Sequence, residues 1–172
     1  MKMRRLGIDP GTYETAYALY EFDEDERKAG RVVEFGILPN EDFLGWLSQG
    51  YDPKPGDMAA MEMIGHYGTG MSVGIEVFAT CVWIGRFMET LDRRGLMPDL
   101  LGRKSVVRFL CSSDRAKDKH VRQALIDRLG KPGTAKKPGP TFGVATHVWA
   151  ALAVAVASAN DVRPILLPIK EN

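Results

Sequence analysis

The sequence has few cysteines and no long hydrophobic run, and each shortage excludes a class of protein. Cys81 and Cys111 are the only cysteines among 172 residues, so there is no disulfide framework, and without histidines at ligand spacing they argue against a zinc site. The first residues are basic and are not followed by the apolar segment of a secretory signal. The apolar stretch 144–157 is shorter than the roughly 20 residues that span a bilayer. We therefore expect a cytoplasmic protein that makes no membrane contact.

The composition is that of a globular protein. Hydrophobic residues make up 45% of the chain and charged residues 26%, which is enough apolar material to bury a sizeable core. The length suits one domain, and we see neither an internal repeat nor a clear boundary. We therefore predict a single domain over residues 1–172.

Charge is unevenly distributed, although the net charge is only +1. Residues 103–137 contain 11 Lys and Arg and 3 Asp and Glu, a balance of +8, so the rest of the chain carries about −7. A basic segment on an otherwise acidic protein indicates a face that binds phosphate groups. The alternative is a solvated helix surface, and the charge count alone favours neither.

Apolar periodicity predicts strands in the first part of the chain and helices, with strands between them, in the rest. This order is typical of a mixed α/β layer structure. Gly and Pro residues separate the segments. In chain order we predict a hairpin around the turn at 10–11, a third strand at 31–38, a short helix at 43–47 capped from residues 40–42, a strand at 58–64, a helix at 73–94, a brief strand at 100–101, helices at 104–110 and 116–129, a flexible loop at 130–140, a helix at 144–157 and an extended tail.

Two acids occupy unusual places in this pattern. Asp9 follows a short apolar strand in the turn sequence GIDPGT, and Glu62 lies inside the apolar segment MAAMEMI. Burying a carboxylate costs several kcal/mol, about 3 or more, unless the group is paired or binds a metal. Two acids at the ends of neighbouring strands can hold Mg²⁺, which prefers oxygen ligands. The alternatives are an ordinary turn acid at Asp9 and an edge-facing residue at Glu62.

Taken in order, these segments resemble a known family. LGIDPGT with the strand after it, the acid Glu62, the segment SSDRAKDKHVRQALIDRLG and the last helix HVWAALAVAVA are together similar to the RuvC-type Holliday junction resolvases. The likeness covers roughly residues 6–159. It implies the RNase H-like α/β fold, with a central mixed five-stranded sheet flanked by helices. It also implies an endonuclease that resolves four-way DNA junctions by metal-dependent paired nicking.

The last helix carries both a match to the family and a departure from it. Members carry two ligand residues three apart on this helix, usually both Asp, and in some the first is His. His147 occupies the first place and Ala150 the second. Residues three apart share one helix face, so both should face Asp9 and Glu62. Because Ala150 cannot bind metal, we expect an Asp-to-Ala form, engineered or natural, with impaired cleavage. The alternative for His147 is a core histidine near a helix start.

The resemblance implies two Mg²⁺ ions per active site, with Mn²⁺ as a possible substitute. Asp9 would bridge the ions, Glu62 would hold one, and His147 would hold the other or position the water. Position 150 is where the family's last catalytic acid would stand. These roles make Asp9, Glu62, His147 and position 150 the expected catalytic set.

DNA contacts are expected from basic side chains and from one aromatic residue. Tyr67, in the glycine-rich loop after Glu62, could stack on a base, which is worth about 1–3 kcal/mol, or be an ordinary loop tyrosine. A two-fold junction calls for a two-fold protein, so we expect a homodimer through the helix at 73–94, whose apolar residues include Cys81, Trp83 and Phe87; packing on the sheet is the alternative. The expected DNA-binding residues are Tyr67, Arg103, Lys104, Arg108, Arg115, Lys117, Lys119, Arg122, Lys136 and Lys137.

Three other functions stay open on the sequence. A sugar kinase or actin-like ATPase shares the Asp-x-Gly-Thr turn, but needs two lobes and a second phosphate turn that this chain does not have. A junction-binding module without catalysis would explain Ala150, yet it would have no reason to keep Asp9, Glu62 and His147. The sequence does not exclude another RNase H-like nuclease, acting on flaps or RNA–DNA hybrids.

Overall fold

The computed structural model describes residues 2–26, 30–65 and 73–167. The elements are β1 (Lys2–Pro10), β2 (Glu14–Asp23), β3 (Arg31–Pro39), α1 (Asn40–Gly45), β4 (Met58–Met63), α2 (Ile75–Asp92), β5 (Asp99–Gly102), α3 (Arg103–Cys111), α4 (Asp118–Leu129), β6 (Gly133–Thr134), β7 (Lys137–Pro138) and α5 (Val148–Ala159). A short 3₁₀ turn follows β2, and a π-helical turn at Trp46–Gly50 extends α1. The main sheet has five strands in the order β3-β2-β1-β4-β5.

The sheet is mixed, as predicted. β1 runs antiparallel to β2 and parallel to β4, and β4 runs parallel to β5. The carboxyl ends of β1, β4 and β5 therefore meet at one edge of the sheet, the place where parallel sheets bind ligands. The predicted α/β fold class, a five-stranded mixed sheet flanked by helices, is confirmed.

Alternation along β1 explains why helices cover both faces of the sheet. Leu6 and Ile8 are fully buried on the face covered by α1 and α2. Side chains alternate between faces along a strand, so Gly7 and Asp9 point to the other face, which is covered by α3, α4 and α5. The strand thus supplies two hydrophobic cores and directs one acid toward α5.

Helix α5 packs directly on β1 because small residues line the contact. A Cβ added to Gly7 would lie 2.1 Å from the Ala151 carbonyl oxygen and 2.7 Å from the Ala155 Cβ. Only glycine on the strand and alanine on the helix permit so close an approach. All residues of α5 except Ala150 are buried. The close packing fixes the start of α5 over the end of β1.

The residue Asn40 has a different role from the one predicted. We expected it to cap the short helix, but the helix begins at Asn40 itself, after Pro39. Its buried amide donates to the carbonyl oxygens of Gly11 and Thr12 at 3.0 and 3.1 Å, and its Oδ1 accepts from Thr15 Oγ1 at 2.7 Å. The turn after Asp9 offers carbonyl groups that need a donor, so Asn40 fastens that turn.

Other predicted elements are close to those observed. The loop predicted as flexible at 130–140 instead contains the small hairpin of β6 and β7. Gly133 has a φ of 73°, and a Cβ there would lie 2.4 Å from the Lys137 carbonyl oxygen, so glycine allows the two short strands to approach. Helix α3 ends at Ser112, whose φ of 55° is left-handed. No helix within the described ranges is both long and apolar enough to cross a membrane.

Candidate active site

Asp9 and Glu62 lie side by side at the carboxyl edge of the sheet. β1 and β4 are paired in parallel as far as Ile8 and Met61, and the two acids are the next residue on each strand. Both are mostly buried, with exposed side-chain fractions of 16% and 17%. The pairing register therefore places two carboxylates next to each other under the helical layer.

The pKa of each acid is raised. Burial and then the neighbouring Asp9 charge raise the pKa of Glu62 to about 7, although Arg103 opposes the shift. Burial also raises the pKa of Asp9, and His147 and Arg103 partly offset it. Two ionised carboxylates in a low-dielectric cleft repel each other. A cation bound at the pair, in addition to the Arg103 guanidinium, would therefore relieve this repulsion.

His147 stands at the start of α5, as its N-cap residue. Its Nδ1 lies 3.4 Å from Asp9 Oδ2, and its side chain is 72% exposed. The preceding Thr146 has a φ of 45°, a conformation that β-branched residues rarely adopt. That turn directs the chain into α5 and presents the imidazole at the mouth of the site. Ala150 lies one helical turn further on, in the same cleft.

Two further charged residues complete the cleft, and sequence reasoning missed their part in it. Arg103 begins α3 directly after β5, and its Nη1 lies 3.5 Å from Glu62 Oε2. Its Nη2 pairs with Oδ1 of Asp118, the first residue of α4. We expected Arg103 to contact phosphate and counted Asp118 only as an acid in a basic segment. The sequence did contain a signal for Asp118, because this acid directly follows Lys117 at the start of the helix predicted at 116–129.

The cleft has a volume of about 550 Å³ and is open on one side. Within the part of the chain that the structure describes, no three His, Cys, Asp or Glu side chains converge closely enough to hold a metal ion. The donor types nevertheless fit a divalent cation, because carboxylate oxygens and an imidazole are its usual ligands. Arg103 supplies the positive charge beside Glu62 in this arrangement. The donor atoms of the cleft therefore suit a divalent metal ion, but the side chains would have to move closer together to bind it.

The predicted DNA-binding residues are mostly exposed. Tyr67 lies outside the described residues. Arg122 is exposed on α4 and stacks over the Trp149 ring at 5.4 Å. Lys119 and Arg122 line a surface depression together with Asp118 of the cleft. Besides Arg122, the exposed basic side chains of this set lie on α3, on α4, in the segment between them and on the β6–β7 hairpin: Lys104, Arg108, Arg115, Lys117, Lys119, Lys136 and Lys137.

Helix α2 presents part of its apolar surface to solvent. Ile75, Phe78 and Val82 are exposed. Phe87, which we expected at a subunit interface, is instead fully buried and packs edge-on against Phe43, with ring centroids 5.0 Å apart. That prediction was wrong for Phe87 because its position faces the sheet.

No protein-family model matches the sequence, and no curated protein matches it. Thermus thermophilus RuvC, in complex with a Holliday junction substrate, superposes with a TM-score of 0.67 at 18% identity, over 95% of this chain and 99% of that one. The yeast mitochondrial Holliday junction resolvase Ydc2 gives 0.59 at 11% identity, over 91% and 79%. The fowlpox virus resolvase, bound to Holliday junction DNA, gives 0.57 at 11% identity, over 91% and 99%.

These similarities extend over nearly the whole chain. At such low identity they concern the fold. The chain therefore has the RNase H-like fold of the RuvC-type Holliday junction resolvases.

Proposed function

We propose that this chain is a metal-dependent endonuclease that binds and resolves four-way DNA junctions. The observation that carries the proposal is the pair of buried carboxylates, Asp9 and Glu62, which meet beneath His147 in one open cleft. Two buried acids that repel each other are costly to a fold. The fold itself is shared with proteins described as Holliday junction resolvases, two of them in complex with junction DNA.

Each residue of the cleft would have its own role in metal binding. Asp9, which neighbours Glu62 at the strand ends and lies 3.4 Å from His147, would bridge two ions. Glu62 would hold one ion, and His147, exposed at the mouth, would hold the other or orient a water. Bound Mg²⁺ supplies the charge that activates the water and stabilises the leaving oxygen in an in-line attack on phosphorus. Mn²⁺ is the expected substitute.

The basic face beside the cleft would hold the DNA backbone. Contacts from Lys117, Lys119 and Arg122 to phosphates give affinity without sequence information. Such binding weakens with salt, with a logarithmic slope of roughly −0.9 for each phosphate neutralised. A junction offers several arms, so a broad basic face suits it better than a narrow groove.

A dimer would match the two-fold symmetry of a junction and cut both strands. The exposed residues of α2, Ile75, Phe78 and Val82, support an interface there. We propose a homodimer through this helix. Phe78→Asp should shift the sedimentation profile from dimer to monomer. The control Tyr13→Asp changes an exposed residue outside α2 and should leave the profile unchanged.

The residue at position 150 sets the expected level of activity. Ala150 offers no donor atom, so we expect the Ala150→Asp variant to cut faster than the chain itself. The test is cleavage of an end-labelled four-way junction with Mg²⁺ by the chain, by Ala150→Asp and by Asp9→Asn. Binding is followed in parallel without a divalent ion. Paired symmetric nicks from Ala150→Asp, slower or absent with the chain itself and absent with Asp9→Asn, support the proposal.

Other results of these cleavage and binding assays would favour one of the alternative functions. Tight junction binding with no cleavage by any form identifies a junction-binding module. Faster cleavage of a flap or an RNA–DNA hybrid than of the junction identifies another RNase H-like nuclease. Equal affinity for a junction and a linear duplex of the same length overturns the junction as substrate.

A further inference from the structure

The cleft contains a third carboxylate from an element not expected to contribute one. Asp118 is the first residue of α4 and lines the same cleft as Asp9, Glu62 and Ala150. Its negative charge contributes to the raised pKa of both Asp9 and Glu62. The cleft therefore has an acid although position 150 has none.

Arg103 connects this acid to the sheet. One guanidinium nitrogen lies 3.5 Å from Glu62 Oε2, and the other pairs with Asp118 Oδ1. A single positive group thus joins carboxylates from β4 and α4. A divalent ion would neutralise the same pair with twice the charge and would leave the guanidinium available to a phosphate.

The start of α4 is capped by other residues. Lys117 is the N-cap, and its backbone N–H donates to His120 Nδ1 at 3.0 Å, while the His120 N–H donates to the Lys117 carbonyl oxygen at 2.8 Å. Asp118 is 88% exposed and turns its carboxylate toward Arg103. The cap of α4 therefore does not use the Asp118 side chain.

We propose that Asp118 is the third carboxylate of the metal site, serving the part that the family resemblance gives to an acid at position 150. In this arrangement Arg103 is the counter-charge that withdraws from Glu62 and Asp118 when a divalent ion binds. The inference rests on the proposed function and deepens it. It also gives the reason why the chain itself, with Ala150, should cut.

The test is Mn²⁺ affinity, measured by electron paramagnetic resonance on the full chain. Asp118→Asn should weaken Mn²⁺ binding about tenfold or more. Adding Ala150→Asp to that variant should restore most of the affinity, because it returns a carboxylate to the same cleft. Asp114→Asn is the matched control, since this acid lies just before α4 and pairs with Arg108 at 3.1 Å, outside the cleft; it should bind Mn²⁺ like the parent chain.

Arg103→Gln tests the counter-charge separately. Removing a competing cation should raise Mn²⁺ affinity several-fold, and a fall in affinity would overturn this role. Thermal melting of every variant checks that the fold is retained. Unchanged Mn²⁺ affinity in a folded Asp118→Asn variant would overturn Asp118 as a ligand.

Junction cleavage by the same variants separates this inference from the proposed function. If Asp118→Asn loses Mn²⁺ and no form cuts a junction, Asp118 stands and the junction proposal fails. If the chain cuts junctions and Asp118→Asn cuts them equally well with unchanged Mn²⁺ affinity, the junction proposal stands and Asp118 fails.

Discussion

Two acids at opposite ends of one strand have opposite environments. Asp57, directly before β4, is 3% exposed and accepts from Arg4 Nε at 2.9 Å, Tyr51 Oη at 3.0 Å and the Lys54 N–H at 2.8 Å. Burial alone would raise its pKa, but these partners hold the pKa below its usual value. Glu62, five residues later, has Arg103 at 3.5 Å and a second acid beside it, and its pKa rises to about 7.

The comparison separates an acid that holds the fold together from one that the fold tolerates. A buried carboxylate with full hydrogen bonding and a guanidinium stabilises the native state above its unfolded pKa. A buried carboxylate beside another carboxylate costs free energy once it is ionised. Retaining such a pair in a cleft is typical of functional sites.

Replacing Asp57, the fully hydrogen-bonded acid, should have the largest effect on stability. Asp57→Asn leaves the Arg4 charge buried without its partner, and we expect a loss of about 3 kcal/mol in the free energy of unfolding. Urea denaturation at pH 7 measures it. Asp52→Asn, an exposed acid in the same loop, serves as control and should change stability little. If Asp57→Asn lowers the free energy of unfolding no more than Asp52→Asn does, Asp57 does not stabilise the fold as described.

Catalysis should respond to the other acid alone. We expect Glu62→Gln to reduce junction cleavage by about a hundredfold or more, since a ligand should matter more than the groups that support one. Asp57→Asn should cut at the parent rate per folded molecule, because it lies at the far end of β4. Single-turnover assays at saturating protein provide the comparison. Similar losses in both variants would remove the distinction between the two ends.

Stability should change in the opposite direction at Glu62. The folded pKa is raised, so the penalty for ionisation is absent below its ordinary value, grows as the pH rises toward about 7 and is complete above that. Glu62→Gln should therefore stabilise the metal-free chain by about 2 kcal/mol at pH 8.5 and hardly at all at pH 4. Unfolding curves with a chelator at both pH values test this. A destabilised variant at pH 8.5 would contradict the raised pKa.

The smallest effect comes from a single hydroxyl. Tyr51→Phe removes one donor to Asp57 but leaves Arg4 and the Lys54 N–H in place. We expect a loss of about 1 kcal/mol and a rise in the pKa of Asp57. The pKa can be followed by the carboxyl carbon shift in NMR. No change in either quantity would show that the guanidinium alone accounts for the low pKa of Asp57.

Much of the site could be predicted from the sequence because its core lies on strands. Asp9 and Glu62 were recognisable as acids in apolar strands, and His147 through the resemblance of the last helix to that of the resolvases. Asp118 and Asn40 were not recognised, since their roles depend on elements far along the chain. Asn40 reaches the turn after Asp9 across 28 residues, and Arg103 reaches Glu62 across 41.

The alternation of apolar residues by itself determined the strands, the buried faces and the two acids that point toward α5, because a side chain's face follows from its place in a strand. Only the tertiary structure decided which charges meet. The parallel register of β1 and β4 sets Asp9 beside Glu62, and the return of α3 and α4 over that edge brings Arg103 and Asp118 to them. Electrostatic energy depends on distance in space, which local sequence patterns do not specify.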